Sequence, residues 1–315
     1  MSRVVVAGGA GFLGSHLCDR LIARGDSVVC LDDLSTGSEA NVTHLMDNDA
    51  FTLVVTDVSQ KVELPSAEKV DGVCNLASPA SPPAYLARPL ETLAVGSEGT
   101  RRLLDLAHQH DARFLMASTS EIYGEPEVHP QVESYRGSVD PIGPRSVYDE
   151  AKRFAEALIM ATHRTRGVNV GIARIFNTYG PRLSPGDGRV VSNFIAQALR
   201  GEPLTMYGDG TQTRSFCFVE DEIAGLLALF DSSCTGPINI GNPDERTMLE
   251  LAQIVLEVTG SSSEMIFRPL PKDDPTRRCP DITLAQKELG WSPTIDLREG
   301  IERTVRFMSA QVGAA

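Results

Sequence analysis

The 315-residue sequence predicts an α/β protein: a doubly wound parallel sheet with a smaller, partly interleaved C-terminal α/β domain. Three observations carry this expectation. The first half alternates short, continuously apolar runs with helical patterns. A glycine triplet stands where the first run meets the first helix. The regular alternation ends near residue 176, where Gly180-Pro181 and Ser184-Pro185-Gly186 interrupt the chain. A run that is apolar at every position suits a strand covered on both faces, which a parallel sheet between two helical layers provides.

Strands are expected at 3–7, 27–31, 52–56, 72–76, 113–117 and 168–174, each a short run rich in large apolar residues. Between them, 12–24, 92–110 and 148–166 repeat apolar residues three and four positions apart, the helical period. Beyond residue 176, helices are expected at 193–200, 247–259, 281–289 and 297–308. The run 223–230, bracketed by Glu222 and Asp231, reads as a buried helix. Segments 216–230 and 237–240 read as a helix and a strand that return to the first sheet. The expected domains are therefore 1–176, rejoined by 215–241, and the remainder of 177–315. The tail 313–315 is expected to fray.

Apolar residues at 42% and charged residues at 23% describe a folded globular chain rather than a disordered one. Lysine and arginine number 29 against 42 aspartates and glutamates, a net charge of −13. That balance lacks the basic footprint of a nucleic-acid binder, although a pocket can be basic inside an acidic protein. The six cysteines are scattered, with no CxxC pair, so they are expected to be reduced, buried thiols in a cytoplasmic protein without a metal site. No run approaches the ~18 apolar residues of a membrane span. The apolar start, 4–14, is broken by four glycines and followed by Asp19 and Arg20, which does not suit a leader peptide.

The first strand runs into Gly8-Gly9-Ala10-Gly11-Phe12-Leu13-Gly14. Glycines at this spacing, after a strand and opening a helix, let the turn tighten and the backbone approach a pyrophosphate. The helix N-terminus then supplies N–H donors and partial positive charge. Asp32 and Asp33 end the second strand. An acid there binds a ribose 2′-hydroxyl and repels a 2′-phosphate, so the expected cofactor is NAD rather than NADP. Asp57 ends the next strand, within reach of an adenine. The fold is thus expected to be Rossmann-type.

Ser118-Thr119-Ser120-Glu121 follows the fifth strand, at the edge where open α/β sheets place chemistry. Tyr148 and Lys152 open a helix four residues apart and so share one face. A nearby ammonium favours phenolate and lowers the tyrosine pKa. Such a phenolate can take a proton from a substrate hydroxyl while hydride leaves the adjacent carbon. The Thr119 hydroxyl can hold the same oxygen.

With these motifs the chain resembles the extended short-chain dehydrogenase/reductase family over nearly its whole length. Further matches are Ala77-Ser78-Pro79-Ala80-Ser81-Pro82-Pro83, Pro141-Ile142-Gly143-Pro144-Arg145, Ala173 to Arg182, and Asp187 to Phe194. Within the family it is most similar to the enzymes that decarboxylate UDP-glucuronate to UDP-xylose. The dehydratases carry Asp-Glu where this chain has Ser120-Glu121, and the 4-epimerases usually lack an acid at position 121. The resemblance implies oxidation at sugar C4, loss of carbon dioxide from the resulting β-keto acid, protonation at C5 and re-reduction at C4. A 4-epimerase, a 4,6-dehydratase and an NAD-binding regulator without catalysis are the competing readings; the last commonly lacks the tyrosine or lysine.

The implied catalytic set is Thr119, Ser120, Glu121, Tyr148, Lys152 and Arg278. The fingerprint and the resemblance together place Gly8, Gly11, Phe12, Leu13, Asp32, Asp33, Thr36, Gly37, Asp57, Val58, Leu76, Ala77, Ser78, Tyr148 and Lys152 at NAD. The resemblance implies that Tyr85, Glu121, Asn177, Arg182, Arg189, Val190, Tyr207, Gln212, Arg214 and Arg278 bind the UDP-sugar, with Val190, Tyr207 and Gln212 around the uridine. Guanidinium groups suit a pyrophosphate and a carboxylate because they bind both bidentately. Four positions depart from the family's pattern: Gly96 for asparagine, Arg136 for tryptophan, Asp140 for asparagine and Ala151 for glycine. The resemblance also implies a homodimer through helices 92–110 and 148–166. The stripe Leu103, Leu104, Leu106 and Ala107 could face a partner or the sheet equally well.

Overall fold

The computed structural model describes residues 1–269 and 277–312; the tail 313–315 lies outside the described residues. Seven parallel strands form the main sheet: β1 (Arg3–Ala7), β2 (Ser27–Asp32), β3 (Phe51–Val55), β4 (Gly72–Asn75), β5 (Arg113–Thr119), β6 (Val170–Ile175) and β11 (Ile238–Ile240). Their order is β11-β6-β5-β4-β1-β2-β3. The order reverses beside β1, which opens a crevice above the strand C-termini.

Strand β1 shows why the sheet is buried on both sides. Val4 and Val6 enter one core and Val5 and Ala7 the other, all fully buried. The first core lies under α1 (Phe12–Ala23) and α7 (Val219–Asp231). The second lies under α4 (Thr100–His110) and α5 (Ser146–Arg166). Leu103, Leu104 and Ala107 are buried against this second face, so that stripe meets the sheet.

The helix expected at 92–110 is a longer rod of three parts. After α2 (Pro82–Ala87) it begins as α3 (Pro89–Ala94), passes through a π-helical turn at Val95–Gly99, and continues as α4. A 3.6-residue period in the sequence does not reveal the inserted residue of a π turn. The early start follows from Pro89, whose fixed φ suits a first helical turn.

The C-terminal part holds α6 (Val190–Arg200), α8 (Met248–Thr259), α9 (Thr283–Leu289) and α10 (Leu297–Val312). Thr247 and Glu250 form a reciprocal capping box that starts α8. Short strands complete it. The pair β7 (Thr178–Tyr179) and β10 (Cys217–Phe218) is parallel, as is the pair β8 (Leu204–Tyr207) and β13 (Met265–Arg268). The strand β9 (Thr213–Ser215) lies between β12 (Glu245–Thr247) and β14 (Arg277–Arg278). The chain re-enters the main sheet at β11, beside β6. Segment 216–230 is a two-residue strand followed by α7. The six cysteines are unpaired thiols. No helix among the described residues is long and apolar enough to cross a membrane.

Candidate active site

A cleft of about 520 Å³ opens above the C-termini of β1, β4, β5 and β6 and runs under the C-terminal part. A second cavity of about 330 Å³ adjoins it along β1 and β2, sharing Gly8, Gly11, Thr36, Leu76 and Ser78. The glycine loop divides the two. Gly8 has φ 75°, and a Cβ there would meet the Ala77 nitrogen at 2.7 Å. A Cβ at Gly14 would meet the Gly8 oxygen at 2.0 Å. Only glycine permits this cradle at the start of α1, and a dinucleotide pyrophosphate fits it.

The two acids after β2 have different surroundings. Asp32 is 7% exposed, and its carboxylate accepts the Ala10 and Leu34 amides, each at 2.9 Å. Burial lifts its pKa against those bonds. Asp32 therefore braces the glycine loop, while Asp33 stands exposed at the second cavity. Gly37, Asp57, Val58 and Ala77 line the same cavity, and Phe12 and Leu13 line the first. The residues of both cavities suit NAD.

Over the main cleft, Tyr148 is 6% and Lys152 4% exposed on the first turns of α5. The Thr119 hydroxyl is hydrogen-bonded to the Tyr148 phenol. Lys152 donates to the Ala117 carbonyl at 2.8 Å, and its Nζ stands 5.7 Å from the Tyr148 ring centroid. The ammonium was expected to lower the tyrosine. Here burial dominates and lifts Tyr148, with the Thr119 bond opposing it. Burial also pushes Lys152 down to about 8. Tyr85 stacks on Tyr148 at 5.2 Å with rings 9° apart, and its buried hydroxyl has no partner among the described residues.

Glu121 is gripped from two sides. The Arg278 Nη1 donates to its Oε1, and the Arg145 Nη2 to its Oε2 at 3.1 Å. Burial alone would lift this carboxyl, but the two guanidiniums hold it down at about 2. Arg278 is 4% exposed and its Nη2 is buried without a partner among the described residues. In register beside it on β9 is Arg214, 9% exposed. Two adjacent strands thus bring two cations to one wall of an acidic protein's cleft.

The expected substrate residues Asn177, Arg189, Val190, Tyr207 and Gln212 line this cleft, with Ser120 at its floor. Arg189 pairs with Asp187 and lies 6.0 Å over the Phe12 ring. Arg182 departs from expectation. Its guanidinium pairs with Asp19 on α1 at 2.7 Å and is not part of the cleft wall. Its backbone takes a positive φ of 68°.

Sequence reasoning did not assign roles to Arg145 or Asp149. Arg145 lies three residues before Tyr148, in a segment noted only as a motif, and its N-cap position on α5 aims it at Glu121. Asp149 is 6% exposed, its Oδ1 lacks a partner among the described residues, and burial together with Glu121 raises it to about 7. Two of the four departures meet in space: a Cβ at Gly96 would lie 2.7 Å from that of Ala151.

A Rossmann-type sheet, a glycine cradle and a hydroxyl-tyrosine-lysine cluster define a nucleotide-dependent oxidoreductase-like site. The chain belongs to the NAD dependent epimerase/dehydratase family, whose model matches residues 4–241. It is 54% identical to the UDP-glucuronic acid decarboxylase 4 of Arabidopsis thaliana, over 98% of this chain and 69% of that one. It is 48% identical to the UDP-glucuronic acid decarboxylase 1 of Danio rerio, over 98% and 73%. Among solved structures it is similar to the UDP-glucuronic acid 4-epimerase of Bacillus cereus in complex with UDP-glucuronic acid and NAD. That match has a TM-score of 0.86 and 28% identity, over 98% of this chain and 99% of that one.

Proposed function

We propose that this chain decarboxylates UDP-glucuronate to UDP-xylose, with NAD recycled in each turnover. The observation that carries the reading is the Thr119-Ser120-Glu121 turn, where Glu121 is held anionic between Arg278 and Arg145, beside Tyr148 and Lys152. The two decarboxylase relatives at 48–54% identity support it.

NAD, when bound against the glycine loop, supplies the reversible hydride acceptor for C4. Tyr148 takes the C4 hydroxyl proton, and Thr119 holds that oxygen through the reaction. The 4-keto sugar then has its C6 carboxylate β to a carbonyl. The C5–C6 bond breaks, carbon dioxide leaves, and the electron pair passes to O4, where Tyr148 and Thr119 stabilise the enolate. A water or hydroxyl supplies the proton that adds at C5, the hydride removed in the first step returns to C4, and Tyr148 returns its proton to O4. The Arg278 Nη2 faces the substrate carboxylate before it is lost. Arg214 and Arg189 take the diphosphate, while Val190, Tyr207 and Gln212 surround the uridine.

Two further parts belong to this reading. Residues 1–176 and 215–241 hold the cofactor and the rest of 177–315 holds the nucleotide sugar, in a cytoplasmic enzyme. A second copy of the chain covers α3 and α5. That surface exposes Leu93 at 38% and Phe154 at 51%.

Proton NMR of the purified protein with UDP-glucuronate tests the activity. UDP-xylose forming without added NAD is the expected result. No change, even with NAD supplied, overturns the assignment. A 4-epimer of the intact acid would favour an epimerase instead.

A further inference from the structure

The positive charge of Lys152 has little direct support. Its ammonium is buried and donates to a neutral carbonyl, that of Ala117. No ion pair reaches it among the described residues. Glu156 lies one turn further along α5, four residues on, the spacing that places two side chains on one helical face.

The Glu156 carboxylate accepts three hydrogen bonds from two strands. Its Oε1 accepts from the Ser118 hydroxyl at 2.6 Å and the Arg174 Nε at 3.0 Å, and its Oε2 accepts from the Arg174 Nη2 at 2.8 Å. Ser118 sits between Ala117, the acceptor for Lys152, and Thr119, the partner of Tyr148. One carboxylate on α5 therefore fixes the end of β5 and the neighbouring strand β6. Arg174 in turn donates to the Tyr123 hydroxyl at 3.0 Å, which donates to Asn239 at 2.7 Å. The clamp is anchored in the buried sheet rather than at the surface.

On α5 itself, Asp149 stands three residues before Lys152 with its Oδ1 unpartnered among the described residues, and is raised to about 7 by burial and Glu121. Arg174 offsets part of the Glu156 charge. The remaining charges are engaged elsewhere. From the turn after β5, Glu121 is held by Arg278 and Arg145. Tyr123, Tyr85 and Tyr148 are all lifted by burial and neutral. On the helices packed against the other side of α5, Glu98 and Asp105 pair with Arg101. Arg102 donates to the Ser59 carbonyl, and Glu91 is exposed. Glu156 is the charged group that opposes burial at Lys152, which still falls to about 8.

We propose that Glu156 is a positioning residue for the acid/base pair: it clamps the end of β5 to α5 and supplies the counter-charge that keeps Lys152 protonated. The inference rests on the reading of Tyr148 and Lys152 as the proton-transfer pair. Its sign is definite. Without Glu156 the ammonium loses its proton at lower pH, and the basic limb of the activity profile moves down with it.

The chain has five lysines, so carbon-13 labelled at Cε gives a sparse NMR spectrum in which Lys152 is identified by its loss in Lys152→Arg. In the NAD-loaded wild type, Lys152 is expected to titrate at about 8. In Glu156→Gln the titration and the basic limb of kcat should both move down by about one pH unit, with KM for UDP-glucuronate changed less than about twofold. Glu156→Asp, which keeps the charge, should restore most of the shift. A Glu156→Gln titration within about 0.3 unit of wild type overturns the proposal. If Glu156→Gln does not fold, Arg174→Met, which frees the Glu156 charge from its paired cation, should move the Lys152 titration up, and no upward shift overturns the proposal. The lysine titration needs no substrate. A protein that shows the shift but does not turn over UDP-glucuronate refutes the decarboxylase reading and leaves this one standing.

Discussion

Tyr148 joins more of the site than any other residue: the Thr119 hydroxyl bonds it, Tyr85 stacks on it, and Lys152 stands near its ring. Burial lifts its phenol, so the protein alone does not favour phenolate, and positive charge must draw the proton out. Tyr148→Phe removes the oxygen and keeps the stack. Turnover should fall ~10²–10⁴-fold, the usual worth of a positioned acid/base, while NAD content in the purified protein stays at the wild-type level. A variant that keeps a tenth of its turnover would remove Tyr148 from the proton path. Asp32 and Asp33 show the limit of reading single residues. They are adjacent, alike in sequence and both line the second cavity, yet one is buried and braces the glycine loop while the other is exposed. The alternation of strand faces and the course of the following turn separate them.

At the scale of elements, the approach of the α3–α4 rod to α5 sets the depth of the site. The π turn carries Gly96 against Ala151, one residue before Lys152. A Cβ at Gly96 would meet the Ala151 Cβ at 2.7 Å and its Cα at 3.2 Å, and backbone cannot move aside as a flexible side chain can. Gly96→Ala should therefore cost ~1–3 kcal/mol, the range for an overpacked contact, measured as a lower midpoint in urea. Adding Ala151→Gly should return most of it, because the two changes share one contact and are not additive. Independent losses in the double variant would mean that the two helices do not meet as described. The resemblance marked these as separate departures; their contact makes them one matched pair.

At the scale of the whole molecule, the chain crosses between its two parts more than once. After β6 it builds the floor of the C-terminal part, then returns through α7 and β11 to the main sheet. Arg278 arrives last, on β14, and reaches back across the cleft to Glu121. The site thus forms only when both parts are folded and docked. Leu93 on α3 and Phe154 on α5 are exposed apolar side chains. If a second copy covers them, Leu93→Glu with Phe154→Glu should halve the mass measured by light scattering. An unchanged mass would place the subunit contact elsewhere or show that the protein is monomeric.

The sequence by itself determined the doubly wound sheet, because apolar strands, helical periods and the glycine triplet are local patterns. It also located the cofactor cradle and the Tyr148–Lys152 pair, since each lies within a few residues of one strand end or helix start. Tertiary structure alone decided what these groups touch. Glu121 and Arg278 lie 157 positions apart; no spacing rule joins them, and only the family resemblance led to the expectation that they meet. The same holds for Arg182, which the resemblance placed at the substrate and which the fold pairs with Asp19. Glu156 carries no sequence signal beyond being a charge on a helix, and Arg145 none beyond ending a matched motif. Their partners come from other elements, and a buried charge acquires its role from the partner that folding brings to it.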